Sequence, residues 1–254
     1  ALDRQSREIG RAPLAFDTGA TGAVARFDIP VELRNDVARI ELASNLDAGS
    51  VRLVDDSFQR RRVGLISGEP LDLAQPLLSP LYYITRALEP FADLVQAESA
   101  DLATSVPAMV RGNPSVIVLA DIGVLPAAAE TALTSYVEAG GTLLRFAGPR
   151  LAASTADDQL VPVRLRGGER QLGGALSWSE PQALAPMADD SPFADIAIPG
   201  DVTVTRQILA EPSVELADRT WASLADGTPI VTAATRGAGR IILFHTTAEA
   251  TWSN

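Results

Sequence analysis

The sequence predicts an α/β protein, with a mostly parallel sheet flanked by helices and a small antiparallel β domain in front of it. Three observations carry this. From "RRVGLISGEP" onward, short apolar runs alternate with stretches of helical periodicity, the pattern of strands joined by helical crossovers. The run "SVIVLAD" is almost wholly apolar, as a strand buried on both faces must be. The first 60 or so residues, by contrast, hold β-rich runs and no convincing helix. A chain of 254 residues is long for one core, and the change of pattern places a boundary between 1–61, a sandwich-like β domain, and 62–254, the α/β domain.

In the first part, "AVARFDIPVEL" and "VARIELA" read as strands joined through Arg34-Asn35-Asp36, and "SVRLVDD" follows the Asp47-Ala48-Gly49 turn. The α/β part opens with the strand in "RRVGLIS". Leu77, Leu81, Ile84 and Leu88 then mark one helix face, interrupted near its start by Pro80. "DLVQAE" is a second strand, the segment through Pro107 is left without assignment, and "SVIVLAD" is a third strand. In "LPAAAETALTSYVEAGG", Pro126 suits a first helical turn, Leu133, Tyr136 and Val137 form an apolar stripe, and Gly140 suits a left-handed C-terminal cap. "TLLRFAG" is the fourth strand. An insertion around 160–215 holds β-like pieces, "LVPVRLRGG", "GALSWSE" and "VTVTRQILAEP", between Pro- and Gly-rich loops. The end, "DGTPIVTAATRGAGRIILFHTT", reads as two paired strands behind Asp-Gly and Gly-Ala-Gly turns.

Composition excludes several chemistries. The net charge is −11, and all 21 basic residues are Arg. Without Lys there is no Schiff base, no lysine general base and no P-loop of the G-x-x-x-x-G-K-[ST] type. There is no Cys, hence no thiol nucleophile, disulfide or Cys-based metal site. So acidic a chain repels phosphate backbones, and no nucleic-acid partner is expected; Arg60-Arg61-Arg62 reads as the solvated start of a strand. No cofactor is expected. Asp55-Asp56 and Asp189-Asp190 lack ligand spacing beyond each pair, so no metal site is expected either. Trp178, Trp221 and Trp252 could form a sugar platform if exposed, or pack in the core. The chain begins "ALDRQSREIG", which reads as an excised segment, and no stretch reaches the roughly 18 apolar residues of a membrane helix; an anchor is expected outside it.

Open α/β sheets bind ligands at the carboxyl ends of their strands. The candidate ligand-binding residues are therefore Ser67 and Glu69 after the first strand, Asp121 after the third, Gly148 after the fourth and His245 after the last. Asp121 could instead cap the following helix, and Ser67-Gly68-Glu69 could be a plain turn.

Together, "FDIPVELRNDVARIELA", "VGLISGEP", "VEAGGTLLRFAGPRLAA", "DGTPIVTAATRGAGRIILFH" and the terminal "TWSN" resemble the BatA-like, aerotolerance-type bacterial membrane proteins, whose extracytoplasmic region contains a class I glutamine-amidotransferase-like domain. The resemblance implies a flavodoxin-like fold, a preceding β domain, transmembrane helices on both sides, an inner-membrane protein with this region in the periplasm, and membrane-associated protein partners. In true class I amidotransferases a Cys on a tight turn attacks glutamine, while a His and a Glu from near the C-terminus complete the triad. Here the corresponding turn is Phe146-Ala147-Gly148-Pro149, without thiol or hydroxyl, so no catalytic residue is assigned.

The leading expectation is accordingly a non-catalytic interaction or scaffold domain. The alternatives are a binding module for a cell-wall sugar or peptide, and a hydrolase using carboxylates with His245, the one histidine of the chain, and Glu249. On the leading reading His245 leaves the sheet with one ring nitrogen bonded locally, nothing to activate, and Trp252 packed back on the domain. A Ser or Thr hydroxyl, or a pair of carboxylates, within about 3 Å of His245 in a solvent-open cleft would argue for catalysis.

Overall fold

The structure is a computed structural model that describes residues 1–43, 47–55, 61–68, 79, 81–97, 99–154, 158–171 and 180–253. The chain divides into two compact units, 1–60 and 61–254.

In the first unit a short helix α1 (Val31–Arg34) precedes β1 (Arg39–Glu41) and β2 (Val51–Leu53), which pair antiparallel. Leu2 adds single bridges to Glu8 and Arg39. This is a ribbon, and the expected sandwich is not formed among the described residues. In "AVARFDIPVEL", Ile29 is buried and Val24 and Arg26 are exposed, but residues 23–30 join no sheet among the described residues, and Val31 to Leu33 belong to α1. Pro30 has no N–H for a ladder, and the chain turns there into α1.

The second unit is built on a seven-stranded sheet. In chain order its elements are β3 (Arg61–Ser67), α2 (Tyr82–Leu88), β4 (Ala92–Gln96), α3 (Leu102–Arg111), β5 (Val116–Ala120), α4 (Ala127–Glu138), β6 (Thr142–Phe146) and α5 (Pro149–Ala153). Two-residue strands β7 (Arg170–Gln171), β8 (Gln182–Ala183), β9 (Thr203–Val204) and β10 (Arg206–Gln207) follow, then α6 (Leu216–Arg219), β11 (Thr220–Ser223), β12 (Pro229–Arg236) and β13 (Gly239–Phe244). The sheet order is β11-β12-β13-β6-β5-β3-β4. Strands β4, β3, β5, β6 and β13 are parallel, and β12 and β11 close the other edge antiparallel. Numbered from β3, the parallel part has the flavodoxin order 2-1-3-4-5, with its switch point between β3 and β5.

Alternate residues of the parallel strands feed two cores. Ile66, Ile117, Leu119 and Leu143 pack with Val106, Leu133 and Val137 of α3 and α4; Val63, Leu65 and Val118 pack with Leu81 and Ile84 beside α2. Burial on both faces is why these strands read as continuous apolar runs. Gly140 ends α4 with φ +113°. Leu77 and Pro80 lie outside the described residues.

The segment left unassigned through Pro107 is α3. Asp101 caps it, accepting from the Ala103 amide at 3.1 Å and the Thr104 hydroxyl at 2.6 Å, and the buried Val106 and Met109 hold it against the sheet despite the internal proline. In the insertion, β7 pairs with β10, β8 with β9, and Leu165 bridges Ala210. Most of "GALSWSE" falls outside the described residues. Among the described residues, no helix is long and apolar enough to cross a membrane.

Candidate functional site

The switch point brings together the ends of β3, β5 and β6. Asp121, directly after β5, is 6% exposed and adopts φ +46°, a left-handed conformation that Asp tolerates better than most residues. That backbone turn aims its carboxylate at α5. Oδ1 and Oδ2 accept from the Arg150 amide at 3.2 and 3.1 Å, and Oδ1 from the Leu151 amide at 3.1 Å. Asp121 is thus a cap, of α5 and not of α4, the helix that follows it in sequence.

Gly148 makes this possible. A Cβ there would stand 2.5 Å from the Asp121 Cγ and 2.8 Å from each carboxylate oxygen, so the glycine is fixed by close approach. Its φ of −136° is ordinary extended backbone. The turn Phe146-Ala147-Gly148-Pro149 is clamped on both sides: the Asp121 amide donates to the Phe146 carbonyl at 3.0 Å, and the Ala147 amide to the Phe244 carbonyl at 2.9 Å. The space over Gly148 is therefore occupied by the Asp121 carboxylate. Ser67 and Gly68 end β3 nearby, and a Cβ on Gly68 would lie 3.0 Å from Nη1 of Arg150. Glu69 lies outside the described residues.

His245 is apart from this group, one strand further along. It is fully buried. Its Nδ1 lies 2.7 Å from the Ile208 carbonyl and its Nε2 2.9 Å from the Thr232 hydroxyl. A carbonyl only accepts, so Nδ1 carries the proton and Nε2 accepts from Thr232, which is itself fully buried. Burial pushes the imidazole pKa down to about 4, against a smaller upward pull from the Ile208 carbonyl. The expectation of one bonded ring nitrogen is corrected to two. A hydroxyl does stand within 3 Å, but it is sealed in the core and faces no cleft. Both ring nitrogens are taken, so Glu249 does not orient the ring. Trp252 packs back on the domain, 1% exposed, against Ala147, Ile208 and Leu243.

Arg145 is a site residue that sequence reasoning missed. It is 1% exposed on β6; Nη1 donates to Asp158 at 2.5 Å and to the Leu160 carbonyl at 3.2 Å, and Nη2 donates to the Ile122 carbonyl at 2.8 Å. It staples the loop after β5 to residues 158–160. Its signal was legible: a charge inside the apolar run "TLLRFAG" has to be paired.

The remaining candidates are dispersed. Asp189 and Asp190 lie on an exposed turn, and Asp56 and Trp178 lie outside the described residues. Trp221 is half-buried between Phe193 and the Arg240 guanidinium. Among the described residues no group of three or more His, Cys, Asp or Glu is placed to hold a metal ion.

No protein-family model matches the chain, and no curated protein matches it in sequence. Solved structures do match in fold. Two cytoplasmic proteins of Salmonella typhimurium, STM3548 and STM1381, superpose with a TM-score of 0.52 each, at 14% and 16% identity, covering 76% and 75% of this chain and 89% and 90% of their own. A ThuA-like protein from Bacteroides uniformis superposes with a TM-score of 0.50 at 13% identity, covering 74% of this chain and 82% of its own. The likeness is one of fold. It agrees with the flavodoxin-like architecture read from the strand order, and at such identity it carries no activity across.

Proposed function

We propose that this chain is a non-catalytic interaction or scaffold domain in the extracytoplasmic part of a bacterial membrane protein, on an amidotransferase-like fold. The observation that carries the non-catalytic part is the closure of His245. A general base must reach the proton it abstracts in a substrate pose, and this imidazole has both nitrogens engaged and no solvent access. The turn that would present a nucleophile offers Phe146, Ala147, Gly148 and Pro149, and the space above it holds the Asp121 carboxylate. The membrane setting is supported by the BatA-like motifs of the sequence, and membrane-associated proteins are the proposed partners.

The test is capture of the tagged, full-length protein from its native membranes after mild cross-linking. The expected result is one reproducible protein partner in near-stoichiometric amount. Recovery of the protein alone in the soluble fraction would count against the proposal.

A further inference from the structure

We infer that the cavity beside α5 is a binding site for a small ligand with an anionic headgroup, a carboxylate or a phosphate. It measures about 430 Å³, within the size range of small-ligand pockets, and adjoins the strand-end group through Leu151, whose amide donates to Asp121. Three arginines line it, Arg164, Arg166 and Arg219, on a chain whose net charge is −11.

The backbone fixes their placement. Residues 164–166 run antiparallel to 209–211: Leu165 bridges Ala210, the Glu211 amide donates to the Arg164 carbonyl and the Arg166 amide to the Leu209 carbonyl, both at 2.8 Å. In extended chain, residues two apart share a face at a spacing of about 7 Å. Arg164 and Arg166 therefore share one side of the segment, and Leu165 between them lines the cavity floor where it packs on the Trp252 cluster. Arg219 donates to the Pro162 carbonyl at 2.6 Å and pairs with Glu215 at 2.7 Å, which ties its planar group to the segment that leads into Arg164.

The lining carboxylates do not cancel this. Asp158 is committed to the buried Arg145, which leaves Glu211, opposite Arg164 across the ladder. Among the described residues neither Arg164 nor Arg166 has an ion pair. Two unpaired guanidinium forks on one concave face suit the planar, multidentate recognition of a carboxylate or phosphate.

Isothermal titration of the whole chain with inorganic phosphate and, separately, with citrate tests this. The expected result is binding tighter than about 10 mM to at least one of them, weakened at least ~10-fold in the double variant Arg164→Gln/Arg166→Gln with its unfolding midpoint unchanged. Glu211→Gln should tighten binding by about threefold, because it removes the opposing charge. A control, Arg86→Gln/Arg111→Gln, carries the same net charge away from the cavity and should bind like the parent. Binding of phosphate alone assigns a phosphoryl headgroup, and of citrate alone a carboxylate. No binding of either, or equal weakening in the control, overturns the inference.

Discussion

At the scale of single residues, His245 shows how burial removes chemistry from a side chain that could otherwise do it. With its pKa pushed down to about 4 from an ordinary 6.5, the folded chain refuses a proton that the unfolded chain accepts. Stability contributed by the neutral ring is therefore complete above pH 6.5 and is lost as pH falls toward 4, by an amount on the order of 3 kcal/mol. Denaturant unfolding at pH 7 and at pH 4.5 should show this loss in the parent, and a shallower one in His245→Gln. Thr232→Val should cost about 1–3 kcal/mol at pH 7, since it leaves Nε2 a buried acceptor without a donor. Thr232→Ser, which keeps the hydroxyl, should restore most of it. The sequence placed His245 at the end of a buried strand correctly, but its partners lie 13 and 37 positions away. The polar Thr232 within the apolar run "PIVTAAT" was the available hint.

At the scale of elements, the strand ends are joined by contacts between residues distant in sequence. Asp121 caps α5 across 29 residues, which is why local reasoning assigned it to the nearer helix α4. Gly148→Ala should destabilise by about 2 kcal/mol by pushing against the carboxylate, although its backbone conformation suits alanine. In an Asp121→Gly background, where the carboxylate is gone and the left-handed φ is relieved, the same change should cost almost nothing. A double-mutant cycle measured by denaturant unfolding would find additive costs if Gly148 were there for any other reason. Arg145→Met should cost about 3 kcal/mol, because it leaves the buried Ile122 and Leu160 carbonyls without their donor and the part-buried Asp158 carboxylate without its cation; near-neutral unfolding energetics would show the ion pair to be dispensable.

At the scale of the whole molecule, the α/β unit was the most legible part. Strands buried on two faces write themselves as apolar runs, and the helices between them follow from periodicity. The helix α3 was hidden by Pro107, whose local penalty is outweighed by packing of Val106 and Met109. In the first unit the strands in "VARIELA" and "SVRLVDD" were legible and pair as β1 and β2; only "AVARFDIPVEL" was misread, because a period of two does not say what a segment pairs with, and among the described residues Ala23 to Ile29 pairs with no strand. Residues 61–254, expressed alone, should unfold in one cooperative transition with the seven-stranded sheet intact, as judged by circular dichroism and heat denaturation; a broad, non-cooperative melt would contradict a self-sufficient core. At this scale the proposed function holds that the sheet carries out no amidotransferase chemistry. Ammonia release from glutamine by the purified chain tests it most directly. No release above the buffer rate is expected, and His245→Ala should lower stability without lowering any turnover. Robust glutaminase activity that survives purification and disappears in His245→Ala would contradict it.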